Sequence, residues 1–223
     1  MSSTTYPASV APQRTRPDAV RDGAPDAGPH PSAVPRPAEF QAVLDALATV
    51  APRPEVVLEV IPAPQRLAPW SHAVGARVTE VLDGEELELA SGRFIVLYDP
   101  EGHEAWSGTT RCVGYVSAVT DEDMVDDAMF SEVAWSWLTD ALAETGHHSV
   151  GGTVTRTAST RFGSIAAPEH SVDVEIRASW TAEGTDLDRH LDAWLDVLGN
   201  AAGLPPPGVH LLGANGQPAD RDA

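Results

Sequence analysis

Ser171-Val172-Asp173-Val174-Glu175-Ile176-Arg177-Ala178-Ser179-Trp180-Thr181 alternates without a break. Val172, Val174, Ile176, Ala178 and Trp180 fall on one side, and Asp173, Glu175, Arg177 and Ser179 on the other. A period of two is that of a strand with one face buried and one in water, the signature of an antiparallel sheet rather than of a fully covered parallel one. The stretch runs directly into Thr185-Asp186-Leu187-Asp188, a capping signal, and then into Leu187, Leu191, Trp194, Leu195 and Leu198 at helical spacing, which stops at Gly203 ahead of Pro205. One half-buried strand followed by one amphipathic helix predicts a helix lying on the apolar side of a sheet.

Outward from there the same logic places the other elements. Val150 to Arg161 reads as a strand paired with 171–181, and Gly146 ends a helix whose stripe is Phe130, Val133, Ala134, Trp137, Leu138, Ala141 and Leu142. The acids Asp121, Glu122, Asp123, Asp126 and Asp127 precede it and suit the positive end of its dipole. In the first half, Phe40, Val43, Leu44, Leu47 and Val50 predict a helix over 38–51 that Pro52 ends, followed by a strand over Glu55–Ile61. Ala73–Leu82 and Glu85–Ala90 flank Asp83-Gly84, a hairpin dipeptide. Arg93–Tyr98 is a further strand, Asp99-Pro100-Glu101-Gly102 has type I turn preferences, and Thr109–Thr120 returns as a long strand. The expected fold is α+β, a single antiparallel sheet of about seven strands with about three helices, in the order αβββββαββα.

The flanks are different in kind. Residues 1–37 hold 8 of the 19 prolines and almost no large apolar side chain, so they are expected to form a disordered arm, or an extended Pro-rich ligand for a partner. Residues 38–212 form the predicted domain, and 213–223 a disordered tail. Of the 223 residues, 14 are arginine, none is lysine and 33 are acidic, for a net charge of −19. The arm carries +1, so everything after Pro37 carries −20. Such a field disfavours general nucleic-acid binding and anionic membranes unless a local arginine patch overrides the mean. The single Cys112 excludes an intramolecular disulfide and any Cys-rich zinc module, and its strand context predicts a small buried hydrophobe. With no signal-type start and no apolar run of membrane-spanning length, a cytoplasmic location is expected.

For chemistry, the densest stretch is Pro62-Ala63-Pro64-Gln65-Arg66-Leu67-Ala68-Pro69-Trp70-Ser71-His72. Its prolines stiffen an extended backbone that would present Gln65, Arg66, Trp70 and His72 with little freedom, as a preorganised binding loop requires. The alternative is a rigid crossover with Arg66 bonded to carbonyls and Trp70 in the core. His103-Glu104, close after Asp99, could bind a metal or move a proton, but falls short of the three or four ligands of a metal site and reads more simply as a polar hairpin tip. His147-His148 and Glu169-His170 read as solvated ends. No Gly-x-Ser-x-Gly elbow, phosphate loop or dinucleotide fingerprint is present. No metal or cofactor is therefore expected. Trp135 stands two residues before Trp137, far around the helix from the apolar stripe, which predicts a partly accessible indole at an interface, either with a protein partner or in self-association.

Four passages carry a family likeness: 62–69, Tyr98-Asp99-Pro100-Glu101-Gly102-His103-Glu104-Ala105-Trp106, Trp135-Ser136-Trp137-Leu138-Thr139 and Glu175-Ile176-Arg177-Ala178-Ser179-Trp180. Together they resemble the actinobacterial DUF3000 family from about residue 38 to Pro205. The resemblance implies an actinobacterial, cytosolic protein and brings no reaction, cofactor or catalytic residue. Two functions stay open. One is a non-catalytic interaction or small-molecule-binding module using the Gln65–His72 loop and the Trp135 face; the other is an enzyme assembling Arg66, His72, Asp99, His103 and Glu104 at one end of the sheet. An enzyme needs those groups to converge on one pocket.

Overall fold

In the computed structural model, residues 35–82, 84–120, 127–164 and 170–206 are described. Most of the predicted arm, the tail, Asp83, the acids at 121–126 and Glu169 lie outside them. The elements are α1 (Ala38–Leu47), β1 (Val56–Val60), β2 (Trp70–Leu82), β3 (Glu85–His103), a 3-10 turn (Glu104–Trp106), β4 (Gly108–Thr120), α2 (Phe130–Leu142), β5 (His147–Thr160), β6 (His170–Ala182) and α3 (Leu187–Ala201). One six-stranded sheet runs β1-β2-β3-β4-β6-β5, antiparallel at every pairing. The α+β class and the single antiparallel sheet stand as expected. The count drops from seven strands to six because Glu85–Ala90 and Arg93–Tyr98 are one strand, continuous through Ser91-Gly92.

That fusion has a packing reason. A Cβ on Gly92 would sit 2.7 Å from the Trp194 ring and 2.5 Å from the Tyr115 carbonyl oxygen. On the neighbouring strand, a Cβ on Gly114 would lie 3.0 Å from the same indole. Gly92 and Gly114 open a hollow in the sheet into which Trp194 of α3 sinks, donating Nε1–H to the Tyr115 carbonyl at 3.3 Å. Glycine here marks close approach of a side chain, not a strand end. Around this contact the core collects Val74, Phe94, Val96, Cys112 and Val116 from the sheet with Leu138, Leu191 and Leu198 from α2 and α3. Cys112 is fully buried, and burial pushes its thiol well above the usual range.

Other corrections are local. β2 begins at Trp70, three residues earlier than its apolar run suggested, because Trp70 and His72 pair with Tyr98 and Val96. The type I turn expected at 99–102 is instead a wide irregularity inside β3: the register passes from Tyr98↔Thr110 to His103↔Gly108. Gly102 takes φ 78° there, and the hairpin tip moves on to the 3-10 turn. His147 and His148 open β5 rather than ending in solvent. On α2 the buried line is Phe130, Ala134, Leu138 and Leu142, while Val133, expected in the stripe, is exposed. Helices of all three kinds of contact lie on one side: Phe40 of α1 packs against Trp70 and Tyr98, and Trp135 of α2 against Gly152 of β5. No helix among the described residues is long and apolar enough to cross a membrane.

Candidate functional site

With the helices on one face, the register identifies what the other face presents. One row across it reads Gly75, Arg93, Tyr115, Arg177 and Thr153, from β2 to β5. The next rows read Arg77, Ser91, Ser117 and Glu175, and Ala73, Ile95, Val113, Ser179 and Gly151. Small residues at the centre of a twisted sheet leave a trough. Here it is a groove of about 690 Å³, floored by Gly75, Ser91 and Ile95 and bounded by Tyr115, with Arg77 and Arg93 and the acids Glu59 and Glu88 also lining it. Its other wall is the start of the β1–β2 loop, Ile61, Pro62 and Pro64. The loop folds onto this face because Ile61 N–H donates to the Ala73 carbonyl at 3.0 Å and the Ser71 hydroxyl to the Pro64 carbonyl at 3.0 Å. A shallower hollow of about 390 Å³ lies beyond Tyr115, with Val113, Gly151 and Arg177 among its walls.

The charges at the groove are not equivalent. Arg177 donates to Glu175 at 2.6 Å and lies over the Tyr115 ring at 5.5 Å, while the Tyr115 hydroxyl donates to Glu175 at 3.1 Å, so these three side chains hold one another. Arg77 reaches Glu59 only at 3.5 Å with both side chains largely in water, a pair worth little. Arg93, exposed at the groove, makes no hydrogen bond or ion pair with any described residue. Arg111, further along the same face, is structural: it donates to the Ser149 carbonyl at 2.9 Å and to the Thr181 and Ser179 hydroxyls at 3.0 and 2.7 Å, strapping β4, β6 and β5 together.

The predicted site residues divide. Gln65 and Arg66 are exposed; the Gln65 amide donates to the Ala63 carbonyl at 3.3 Å, and Arg66 stands at φ 73° with no partner among the described residues. Trp70 is half-buried against Phe40. His72 is half-buried on the helical side, and burial, then the charge of Arg36, lowers its pKa. Asp99 accepts from the Glu101 N–H at 3.1 Å and His103 Nδ1 from the Ala105 N–H at 3.2 Å, both strictly local bonds. His103 also stacks on Trp106 with centroids 4.5 Å apart. The end of the 62–72 loop and the 99–104 segment do adjoin, through Trp70↔Tyr98, yet no hydrogen bond joins any two of Arg66, His72, Asp99, His103 and Glu104. No group of three or more His, Cys, Asp or Glu that could hold a metal occurs among the described residues.

Sequence reasoning passed over Arg77, Arg93 and Tyr115. The signal available was alternation alone, which puts Arg93 and Tyr115 opposite the core residues Phe94 and Val116 but not beside each other. Their proximity needed the β3–β4 register. Also missed was His190, 2 % exposed, whose Nδ1 accepts from the Trp180 indole at 3.0 Å. Burial, with repulsion from His147 next, lowers its pKa to about 4.

The architecture defines an α+β protein with a sheet packed by helices on one face and grooved on the other. The chain belongs to the DUF3000 family, described as a protein of unknown function, whose profile matches residues 36–210. No curated protein and no solved structure matches the chain.

Proposed function

We propose that this chain is a non-catalytic binding module, and that its ligand is a small organic anion held in the groove on the helix-free sheet face. The observation that carries the reading is Arg93: a guanidinium at the rim of a groove of about 690 Å³, with no partner among the described residues, on a domain whose net charge is strongly negative. An arginine kept free on an acidic domain is suited to a carboxylate or phosphate that arrives from outside, and its planar fork can bind either through two bonds. The groove volume lies in the range of small-molecule sites. Ile61, Ile95 and the Tyr115 ring supply apolar walls for the body of such a ligand, and Pro62 and Pro64 hold one wall stiff. The stiff loop thus contributes through its first residues, with Gln65 and Arg66 beyond the groove.

The enzyme reading asks Arg66, His72, Asp99, His103 and Glu104 to act together. It has less support, since the hydrogen bonds of Asp99 and His103 are local and His72 turns toward the helices. The test is a thermal-shift and calorimetric screen of aryl carboxylates and aryl phosphates against the wild type and Arg93→Gln. Saturable binding that weakens at least tenfold in Arg93→Gln is expected. Failure of every compound to bind, or equal binding by the variant, would sink the proposal.

A further inference from the structure

We infer that a second copy of this chain pairs with β5, edge to edge and antiparallel, extending the sheet across a two-fold axis with Trp135 of each copy beside the seam. The two edges of the sheet are built differently. β1 is five residues long and hemmed by Pro52 and Pro54 before it and Pro62 and Pro64 after it. Short strands and proline are the ordinary protection of an edge. β5 has fourteen residues and no proline. From Gly151 to Thr160 it pairs with β6 in unbroken register, so the other side of residues 151–159 offers about four or five N–H and C=O pairs to a further strand. No strand among the described residues takes them.

Three observations favour a copy of the same chain as the occupant. The first is charge. A domain at −20 repels its own kind, but residues 147–162 contain no Asp or Glu, so the strand that would form the seam carries no carboxylate of its own, the first ones lying one strand back at Asp173 and Glu175. Arg156, which could have guarded the edge, is turned inward: it donates to the Asp127 carbonyl at 2.7 Å and lies over the Phe130 ring at 5.9 Å. The second is the position of Trp135. A Cβ on Gly152 would lie 2.9 Å from its ring, so the half-buried indole rests on the edge strand itself. A neighbouring strand and its helix would cover the remainder, and tryptophan is a common anchor of interfaces. The third is size. A seam of ten residues is ~33 Å long, and one sheet layer plus one helix layer is about 20 Å deep. That gives roughly 650 Å² per copy and ~1,300 Å² in all, within the range of stable protein interfaces.

The full chain should sediment as a dimer at about 50 µM and dissociate on dilution, and hydrogen exchange of the 151–160 amides should be at least tenfold slower in the dimer than in dilute samples. Thr155→Lys with Thr157→Lys places lysines on the exposed edge, where Glu175 and Asp173 of β6 stand opposite and let the fold tolerate them. This pair should weaken association at least thirtyfold, and Trp135→Ala about tenfold. A wild type that stays monomeric overturns the inference, as does a dimer whose constant the lysines leave unchanged. Should the lysine variant fail to fold, the wild-type exchange data decide: β5 amides with the same rate at both concentrations overturn it too.

Discussion

Acidification from pH 7.5 to 5.0 should destabilise the wild type relative to a His190→Asn variant by about 2 kcal/mol. His190 Nδ1 accepts the Trp180 indole N–H, which requires that nitrogen to carry no proton. The ring is 2 % exposed, and burial is the first cause of a pKa lowered from 6.5 to about 4, with His147 adding to it. A base with a depressed folded-state pKa contributes stability that is complete above the unfolded value and is lost as pH falls from about 6.5 toward 4, because the unfolded chain takes up the proton first. At pH 5.0 the unfolded His is about 97 % protonated and the folded one about 9 %, which converts to about 2 kcal/mol. Burial also raises the carboxyls of Asp192 and Asp196 on the same helix, and their protonation works in the opposite direction as pH falls. The comparison is therefore with His190→Asn, where the amide oxygen can take the indole bond and no titration occurs. Urea denaturation followed by tryptophan fluorescence at four pH values from 7.5 to 5.0 reads the difference. Parallel stability curves for the two proteins would refute the reasoning, since the titration of His190 would then not be linked to folding.

Three further outcomes follow from single contacts. Gly92→Ala puts a methyl into the Trp194 ring and should cost about 3 kcal/mol by chemical denaturation, with a red-shifted tryptophan emission; a neutral result would mean the hollow is slack. Arg111→Ala removes three hydrogen bonds that tie β4, β5 and β6 and should cost ~2 kcal/mol, with faster amide exchange along β5. Arg66→Gly should raise stability by about 0.5–1 kcal/mol, because a left-handed φ at an exposed, unpartnered residue suits glycine; unchanged stability in denaturation would show the strain is absent.

Periodicity made the layered architecture legible, and it did so where a single face of an element decides its burial. The alternation at 171–181 and the α3 stripe were each sufficient to orient their element, and Trp180, Trp194 and Cys112 lie in the core as their positions in the pattern required. The pattern failed where burial is decided by a neighbour. Gly92 read as a strand break because sequence shows a glycine but not the indole that fills its place. Trp70 and His72 read as loop residues because the prolines before them are louder than the pairing with β3 that makes them strand. Val133 read as core from its spacing, though the line that meets the sheet on α2 is strictly Phe130, Ala134, Leu138 and Leu142. For the candidate site the failure is of another kind: its residues come from four strands, and nothing within one strand announces the others.

The open sheet face changes in composition along its length. Toward the β2–β3 hairpin it carries Glu86, as a face that merely meets water does, and then Glu88 at the near end of the groove. In the middle it changes: Ala73 and Gly75 are buried beneath the folded-back loop, and Ile95 and Val113 are half-covered with none of the described helices above them. Holding apolar groups on a face without a helical layer forgoes roughly 25 cal/mol for each Å² left wet, so the sequence is less stable there than a polar alternative would make it. The loop that shields part of this area does so through Ile61 packed on Gly75, and it leaves the remainder as the groove bordered by Arg93. An apolar trough beside a free cation is the arrangement that an amphiphilic anion completes, since its body covers the trough and its charged end satisfies the arginine. A neutral apolar compound of the same size would fill the trough and leave Arg93 as it is. Binding by aryl carboxylates should therefore exceed that of the corresponding aryl amides in the wild type and approach it in Arg93→Gln, and equal preference in both proteins would place recognition in the trough alone.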